Sequence, residues 1–97
     1  MNVRISDDAE HDLEDIADFI AHDDPLRAVT FVRELRSACF ALGDFPKAYP
    51  LVRRYESSIR RRVHGAYLIF YHVDHHTVTV ARILHSARDH DEILFPD

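Results

Sequence analysis

The sequence is poor in residues that mark several common classes of protein. It has 97 residues, with two glycines, one cysteine and no tryptophan. With glycine only at Gly43 and Gly65, it has neither a glycine-rich phosphate loop nor a nucleophile-elbow motif. Its longest apolar runs, such as AYLIFY, are far shorter than the roughly 20 residues that a membrane span needs. These absences argue against nucleotide hydrolysis at a phosphate loop, a hydrolase triad of that type and a membrane protein.

The single cysteine and the N-terminal residues favour an intracellular setting. Cys39 cannot form an internal disulfide. The first residues, MNVRISDDAEHDLEDI, lack a basic head followed by an apolar run and a cleavage site. We therefore expect a protein of the reducing cytoplasm.

Charge is unevenly distributed along the chain. The net charge is −5, which argues against a protein that coats nucleic acid through charge attraction. Residues 1–44 carry eleven acids and four bases, residues 45–88 carry eight bases and two acids, and residues 89–97 carry four acids and no base. A positive face can therefore exist on this acidic chain. The alternative is that these bases are solvated charges at strand edges.

The first half of the sequence predicts a strand followed by two helices. MNVRI alternates weakly and reads as a short strand, and Ser6 then stands at the N-cap of an amphipathic helix over residues 7–22. Asp24 and Pro25 begin a second helix, which Gly43 ends. Cys39 lies on the apolar stripe of that helix, so we expect a packed thiol rather than a nucleophile.

The second half predicts three strands. IRRRVH, AYLIFYHV and TVTVARIL are separated by short turns, and AYLIFYHV is apolar on both faces, which is typical of a central strand. Within IRRRVH we expect Ile59 and Val63 to face inward, with the stem of Arg61 packed between them. The order β-α-α-β-β-β predicts a single α+β domain over residues 1–97, an antiparallel sheet with the helix hairpin on one face.

The histidines suggest a metal site only weakly. His72, His75 and His76 lie close together, but a turn aims neighbouring side chains in different directions, and only Asp74 stands nearby to complete a ligand set. We therefore expect these histidines to be exposed polar residues of a turn. We assign no metal, cofactor or catalytic residue.

Arginine is the most distinctive side chain of the second half. Its planar guanidinium suits carboxylate and phosphate alike, so the set is compatible with RNA, an acidic peptide or another protein target. Cleavage of RNA would also need a general acid or base, for which His64 and His85 are candidates by position. The set comprises Arg53, Arg54, Arg60, Arg61, Arg62, Arg82 and Arg88.

Three motifs give the chain a resemblance to a known family. They are D-P-x-R-A at the start of the second helix, Y-x-I-F-Y in the central strand and H-x-A-R-D after the last strand. With the helix pair and IRRRVHGAYLIFYHV around them, they resemble the ParE toxins of the ParE/RelE superfamily, found in bacterial type II toxin–antitoxin modules and associated with plasmid stabilisation. The resemblance covers nearly the whole chain, and it implies the β-α-α-β-β-β fold reached above.

The resemblance implies two alternative functions. RelE-like members are ribosome-dependent endoribonucleases that cut mRNA, whereas ParE members are inhibitors that bind DNA gyrase. Arg88 falls where RelE-like enzymes keep an arginine, but the following DHDEILFPD contains no tyrosine, and Lys47 is the only lysine. The missing catalytic groups favour the ParE function, and loss of toxic activity is a third alternative.

The resemblance also implies a ParD-like antitoxin partner. Such an antitoxin wraps the toxin with a segment that carries carboxylates and apolar anchors, without direct sequence-specific nucleic-acid binding by the toxin. Ile93, Leu94 and Phe95 either contact a partner or dock on the core. The residues assigned to antitoxin or target binding are Arg60, Arg62, Arg82, His85, Arg88 and Asp89.

Overall fold

The computed structural model describes residues 1–53 and 57–96. The elements are β1 (Asn2–Ile5), α1 (Asp7–Ala21), α2 (Pro25–Ala41), β2 (Arg60–His64), β3 (Tyr67–Val73), β4 (Thr77–His85) and α3 (His90–Leu94). The predicted order is confirmed, and the short helix α3 is an addition to it. Within the described ranges, none of the helices has the length and apolar character needed to cross a membrane.

The four strands form one sheet in the order β1-β4-β3-β2. β2, β3 and β4 pair antiparallel, as expected for strands joined by tight turns. β1 instead pairs parallel with β4, with Asn2 opposite Thr77. The predicted α+β fold is therefore confirmed with one correction, because the sheet is mixed rather than antiparallel throughout. Short turns predict antiparallel pairing only for strands that follow one another directly. They give no direction for β1, since the helix pair and two strands separate it from β4.

Both long helices begin where the sequence predicts. The side chains of Ser6 and Asp24 each accept a hydrogen bond from the backbone N–H three residues on, at 3.1 and 3.0 Å, and Pro25 occupies the first helical turn. α1 ends one residue earlier than expected. After α2, Gly43 lies so close to β1 that a Cβ there would stand 2.3 Å from the Met1 carbonyl oxygen. This position therefore requires glycine.

The two faces of the sheet are packed very differently. We call the side under α1 and α2 the helix face; its core contains Leu13, Ile16, Leu35, Cys39, Ile69, Tyr71, Val78, Val80 and Ile83. We call the opposite side the tail face; its buried apolar residues are Leu68, Phe70 and Leu84, against which Val52, Ile59, Ile93 and Leu94 pack half-buried. Ile93 and Leu94 belong to α3, so the C-terminal segment covers part of the tail face.

The prediction that Val63 and the stem of Arg61 are packed inside the protein is wrong, because both side chains are exposed. Val63 is 63% exposed, and Arg61 is exposed as well. Arg62 and His64 turn toward α2, where Arg62 bonds to a backbone carbonyl and the His64 ring packs 5.8 Å from that of Phe31. β2 is an edge strand, and the cover of the tail face reaches Ile59 but not Val63.

Cys39 is a buried free thiol, as predicted. Burial in the apolar core raises the pKa of the Cys39 thiol to about 12. The thiol is therefore protonated at neutral pH and lacks the character of an activated nucleophile.

Candidate functional site

Arg82 is fixed by a buried carboxylate. Its Nε and Nη2 donate to the two carboxylate oxygens of Asp12 at 2.8 and 2.9 Å, and the Ile83 N–H donates to the same carboxylate at 2.8 Å. The Asp12 side chain is 6% exposed and that of Arg82 is 26% exposed. The hydrogen bonds that Arg82 donates to the Asp12 carboxylate are the main reason that the pKa of Arg82 is raised. This pair therefore joins α1 to β4.

Asp12 is absent from the site residues that the sequence predicts. The available signal was its position beside Leu13 and four residues before Ile16, which puts an acid on the buried stripe of α1. An acid at such a position requires a partner, because an unpaired buried charge is costly.

Arg60 and Arg62 hold neighbouring segments against β2. Nη1 of Arg60 donates to the backbone oxygens of Tyr49 at 2.7 Å and Lys47 at 3.3 Å. Nη1 of Arg62 donates to the Ala38 oxygen at 2.9 Å, and its guanidinium lies 5.2 Å from the centre of the Tyr49 ring. Each arginine therefore has a structural contact, on the opposite edge of the sheet from β1.

His85 and Arg88 line a groove of about 230 Å³ between α1 and the end of β4. Nδ1 of His85 accepts the Ala87 N–H at 3.0 Å, so the neutral imidazole carries its proton on Nε2. Tyr67 also lines the groove, with its ring edge-on to His85 at 5.3 Å. Burial raises the pKa of Tyr67, and no hydrogen bond joins its hydroxyl to the residues that the structure describes.

Arg88 and Asp89 differ in what they contact. Within residues 1–53 and 57–96, the Arg88 guanidinium has no hydrogen bond or ion pair. Asp89 is the N-cap of α3 and accepts the Glu92 N–H at 3.3 Å. His90 follows it, with Nε2 at 3.0 Å from the His85 oxygen. Arg88 is therefore available to a partner, while Asp89 positions the C-terminal helix.

The six assigned residues fall into two places rather than one cluster. Arg82, His85, Arg88 and Asp89 lie at or after the end of β4, and Arg60 and Arg62 lie on β2. Three of the four arginines donate hydrogen bonds within the chain.

The histidine-rich turn has a local structural explanation. The Asp74 carboxylate accepts the N–H groups of His76 and Thr77 at 2.9 and 2.8 Å, and these bonds are the main reason that its pKa is lowered. No group of three potential metal ligands occurs in the described part of the chain.

The helix hairpin exposes large apolar side chains. Phe19 at the groove is 73% exposed, and Leu26 and Val29 on α2 are 81% and 56% exposed. Leu26 and Val29 are neighbours at helical spacing. Adjacent exposed apolar groups of this size are a feature of protein-binding surfaces.

Comparison with known proteins identifies the family. The model for the ParE toxin of the type II toxin–antitoxin system parDE matches residues 3–90. A solved chain from a chromosomal ParDE system of P. aeruginosa is similar in fold, with a TM-score of 0.78 and 16% identity over 88% of this chain and 95% of that one. A chain of the toxin–antitoxin complex RelBE2 from Mycobacterium tuberculosis has a TM-score of 0.64 and 25% identity over 87% of this chain and 95% of that one. The curated proteins gave no match. Because the family model spans most of the sequence, the chain belongs to the ParE toxins of type II toxin–antitoxin systems.

Proposed function

We propose that this ParE-family toxin inhibits DNA gyrase through protein contact and is neutralised by a ParD-like antitoxin. It would act in the cytoplasm as a single domain over residues 1–97 and form a hetero-oligomer with the antitoxin. The observation that carries the choice of a protein target is the internal bonding of the arginines.

Cleavage of RNA requires cations that are free to meet the charge developing on a phosphate. The guanidinium of Arg82 is occupied by Asp12, and those of Arg60 and Arg62 donate to backbone oxygens. Each of these arginines therefore commits at least one nitrogen to holding the fold together, and none of the three is fully free to meet a phosphate. In addition, the sequence has no tyrosine after Arg88 and no lysine apart from Lys47. A RelE-type catalytic set is therefore incomplete in this chain.

Exposed apolar groups support a protein partner. Phe19, Leu26 and Val29 offer anchoring positions on the helix hairpin, and Arg88 offers a free cation at the groove. An antitoxin segment that combines apolar anchors with carboxylates fits both features. The two similar solved structures come from toxin–antitoxin systems, which supports the same kind of partner for this chain.

A supercoiling and cleavage assay tests the gyrase target. Purified toxin is added to gyrase, ATP and relaxed plasmid, and the products are separated on a gel with and without antitoxin. We expect loss of supercoiling with accumulation of linear or nicked DNA, reversed by the antitoxin. Normal supercoiling at a large excess of folded toxin would contradict the proposal.

Ribosome-dependent RNA cleavage is the second candidate, favoured by the groove that Tyr67, His85 and Arg88 share. Tyrosine and histidine can transfer protons, and a free arginine can stabilise a transition state. The likeness to the RelBE2 complex is compatible with this chemistry. Primer extension on mRNA from translating ribosomes tests it: new 5′ ends that disappear with His85→Ala and Arg88→Ala would favour the nuclease over the gyrase inhibitor.

A further inference from the structure

The outer edge of β2 is only partly covered. The preceding loop closes the beginning of the strand, where the Val52 N–H donates to the Ile59 oxygen at 2.7 Å and the Arg61 N–H donates to the Pro50 oxygen at 3.0 Å. Backbone groups alternate in direction along a strand, so the N–H and C=O of Val63 point away from β3 as those of Arg61 do. Among residues 1–53 and 57–96, no hydrogen bond satisfies these two groups of Val63.

A positively charged groove of about 610 Å³ lies beside this open edge, between α2 and β2. Arg33, Arg62 and His64 line it, and the side chain of Arg33 has no ion pair with any described residue. The one carboxylate in the lining is Glu34, which is 3.1 Å from Arg27 and is balanced by it. The free charge in the groove is therefore positive.

Arg62 is held in place before any ligand binds. One of its nitrogens donates to the Ala38 oxygen, and its guanidinium stacks on the Tyr49 ring, so little side-chain freedom remains to be lost on binding. Its other nitrogens can donate to a carboxylate at the groove.

We propose that an extended acidic segment of the antitoxin adds to the sheet as a fifth strand along β2, pairing with the backbone of Val63. This inference rests on the proposed neutralisation by an antitoxin and specifies where one part of it binds. The side chains of an added strand alternate between the two faces of the sheet. Those on the helix face meet Arg33 and Arg62, and those on the tail face meet Val63, which is 63% exposed. The segment therefore alternates carboxylates with apolar residues.

Calorimetry with the purified antitoxin of this module tests the electrostatic part. Arg33→Glu reverses a charge inside the groove, and Arg61→Glu makes the same change on an exposed side chain of the opposite face. At low salt we expect Arg33→Glu to raise the Kd about tenfold. At high salt the increase is smaller, because salt screens the charges. For Arg61→Glu we expect the Kd to change by under about twofold. Equal effects of the two variants would overturn the proposed location.

The backbone contact is tested by Val63→Pro against Val63→Ala. Val63→Pro keeps an apolar side chain of similar size but removes the N–H, which an edge strand tolerates where that group faces outward. Val63→Ala removes most of the side chain and keeps the N–H. We expect Val63→Pro to bind about fivefold to tenfold more weakly than Val63→Ala, as for one lost hydrogen bond. Equal affinities would show that no strand pairs at this N–H.

Hydrogen exchange on the unmodified toxin gives a readout that does not depend on the folding of variants. We expect the Val63 amide to exchange rapidly in the free toxin and to become protected in the antitoxin complex. Tight binding without this protection would overturn the strand addition and leave the proposed function intact. No binding of wild-type toxin to antitoxin would overturn both. Protection of Val63 in the isolated toxin, together with dimerisation, would assign the edge to a second copy of the chain.

Discussion

The helix face and the tail face of the sheet are built from the same strands but contribute differently to the stability of the fold. Among the described residues, the core cluster of the helix face has thirteen buried apolar members from helices and strands, whereas that of the tail face has three and is covered by half-exposed groups. Stabilisation from apolar burial grows with the area removed from water, so most of it belongs to the helix face. The difference teaches that the buried interior of the helix face sets stability, while binding is left to exposed groups on the outer surface of the helix hairpin and at the open edge of β2.

The largest effect is expected at the Asp12–Arg82 pair. Asp12→Ala removes the acceptor for the Arg82 guanidinium and for the Ile83 N–H, and leaves both poorly solvated. We expect a loss of about 3–5 kcal/mol in the free energy of unfolding, measured by chemical denaturation. Glu10→Ala is the control, since its pair with Arg36 is 41% exposed on both sides, and we expect it to cost under about 1 kcal/mol. Similar losses would show that Asp12 is not a special anchor.

The two faces can be compared directly with one substitution on each. Leu13→Ala leaves a cavity in the helix face, and we expect it to cost about 3 kcal/mol, whereas Leu94→Ala in α3 should cost under about 1 kcal/mol. Urea denaturation of both variants provides the measurement. A cost at Leu94 equal to that at Leu13 would contradict the difference between the faces.

The dependence of stability on alkaline pH tests whether the Cys39 thiol is buried away from water. The pKa of Cys39 rises from an ordinary value of 9.0 to about 12 on folding, so its contribution to stability is complete below pH 9 and is lost as the pH rises toward 12. Relative to Cys39→Ala, we expect wild-type stability to fall by about 1.4 kcal/mol per pH unit above pH 9. Parallel stability curves for the two proteins from pH 8 to 11 would contradict a buried protonated thiol.

The smallest effect on stability is expected at Arg88. Its side chain has no partner in the described ranges, so Arg88→Ala should change the unfolding free energy by under about 0.5 kcal/mol while weakening binding to antitoxin or gyrase. Thermal unfolding and calorimetry on the same preparation separate the two effects. A large fall in melting temperature would assign Arg88 to the structure instead.

Local signals predicted much of the fold from the sequence. Ser6 and Asp24 are N-caps as expected, and the continuous apolar run of β3 lies inside the sheet. Cys39 is buried on its helical stripe. Each of these depends on residues within a few positions, so the sequence pattern carries the information directly.

Features that depend on contacts between residues far apart in the sequence were harder to predict from it. The direction of β1 is set by pairing with β4, and the exposure of Val63 depends on how far the tail cover reaches. The role of Arg82 depends on Asp12, 70 positions away. At the candidate site, the sequence therefore indicated the residue types but not which guanidiniums are already occupied. Arg88 has no hydrogen bond or ion pair among the described residues, whereas three other assigned arginines are bonded within the chain.

Pairing of the first strand with the last has a consequence for synthesis on the ribosome. The α1–α2 hairpin can form early from contacts that are local in sequence. β1 has no partner in the sheet until residues 77–80 have emerged, and Asp12 has none until Arg82 follows. A chain still being translated therefore lacks its completed sheet, and any activity that requires this sheet begins only after Arg82 has left the ribosome.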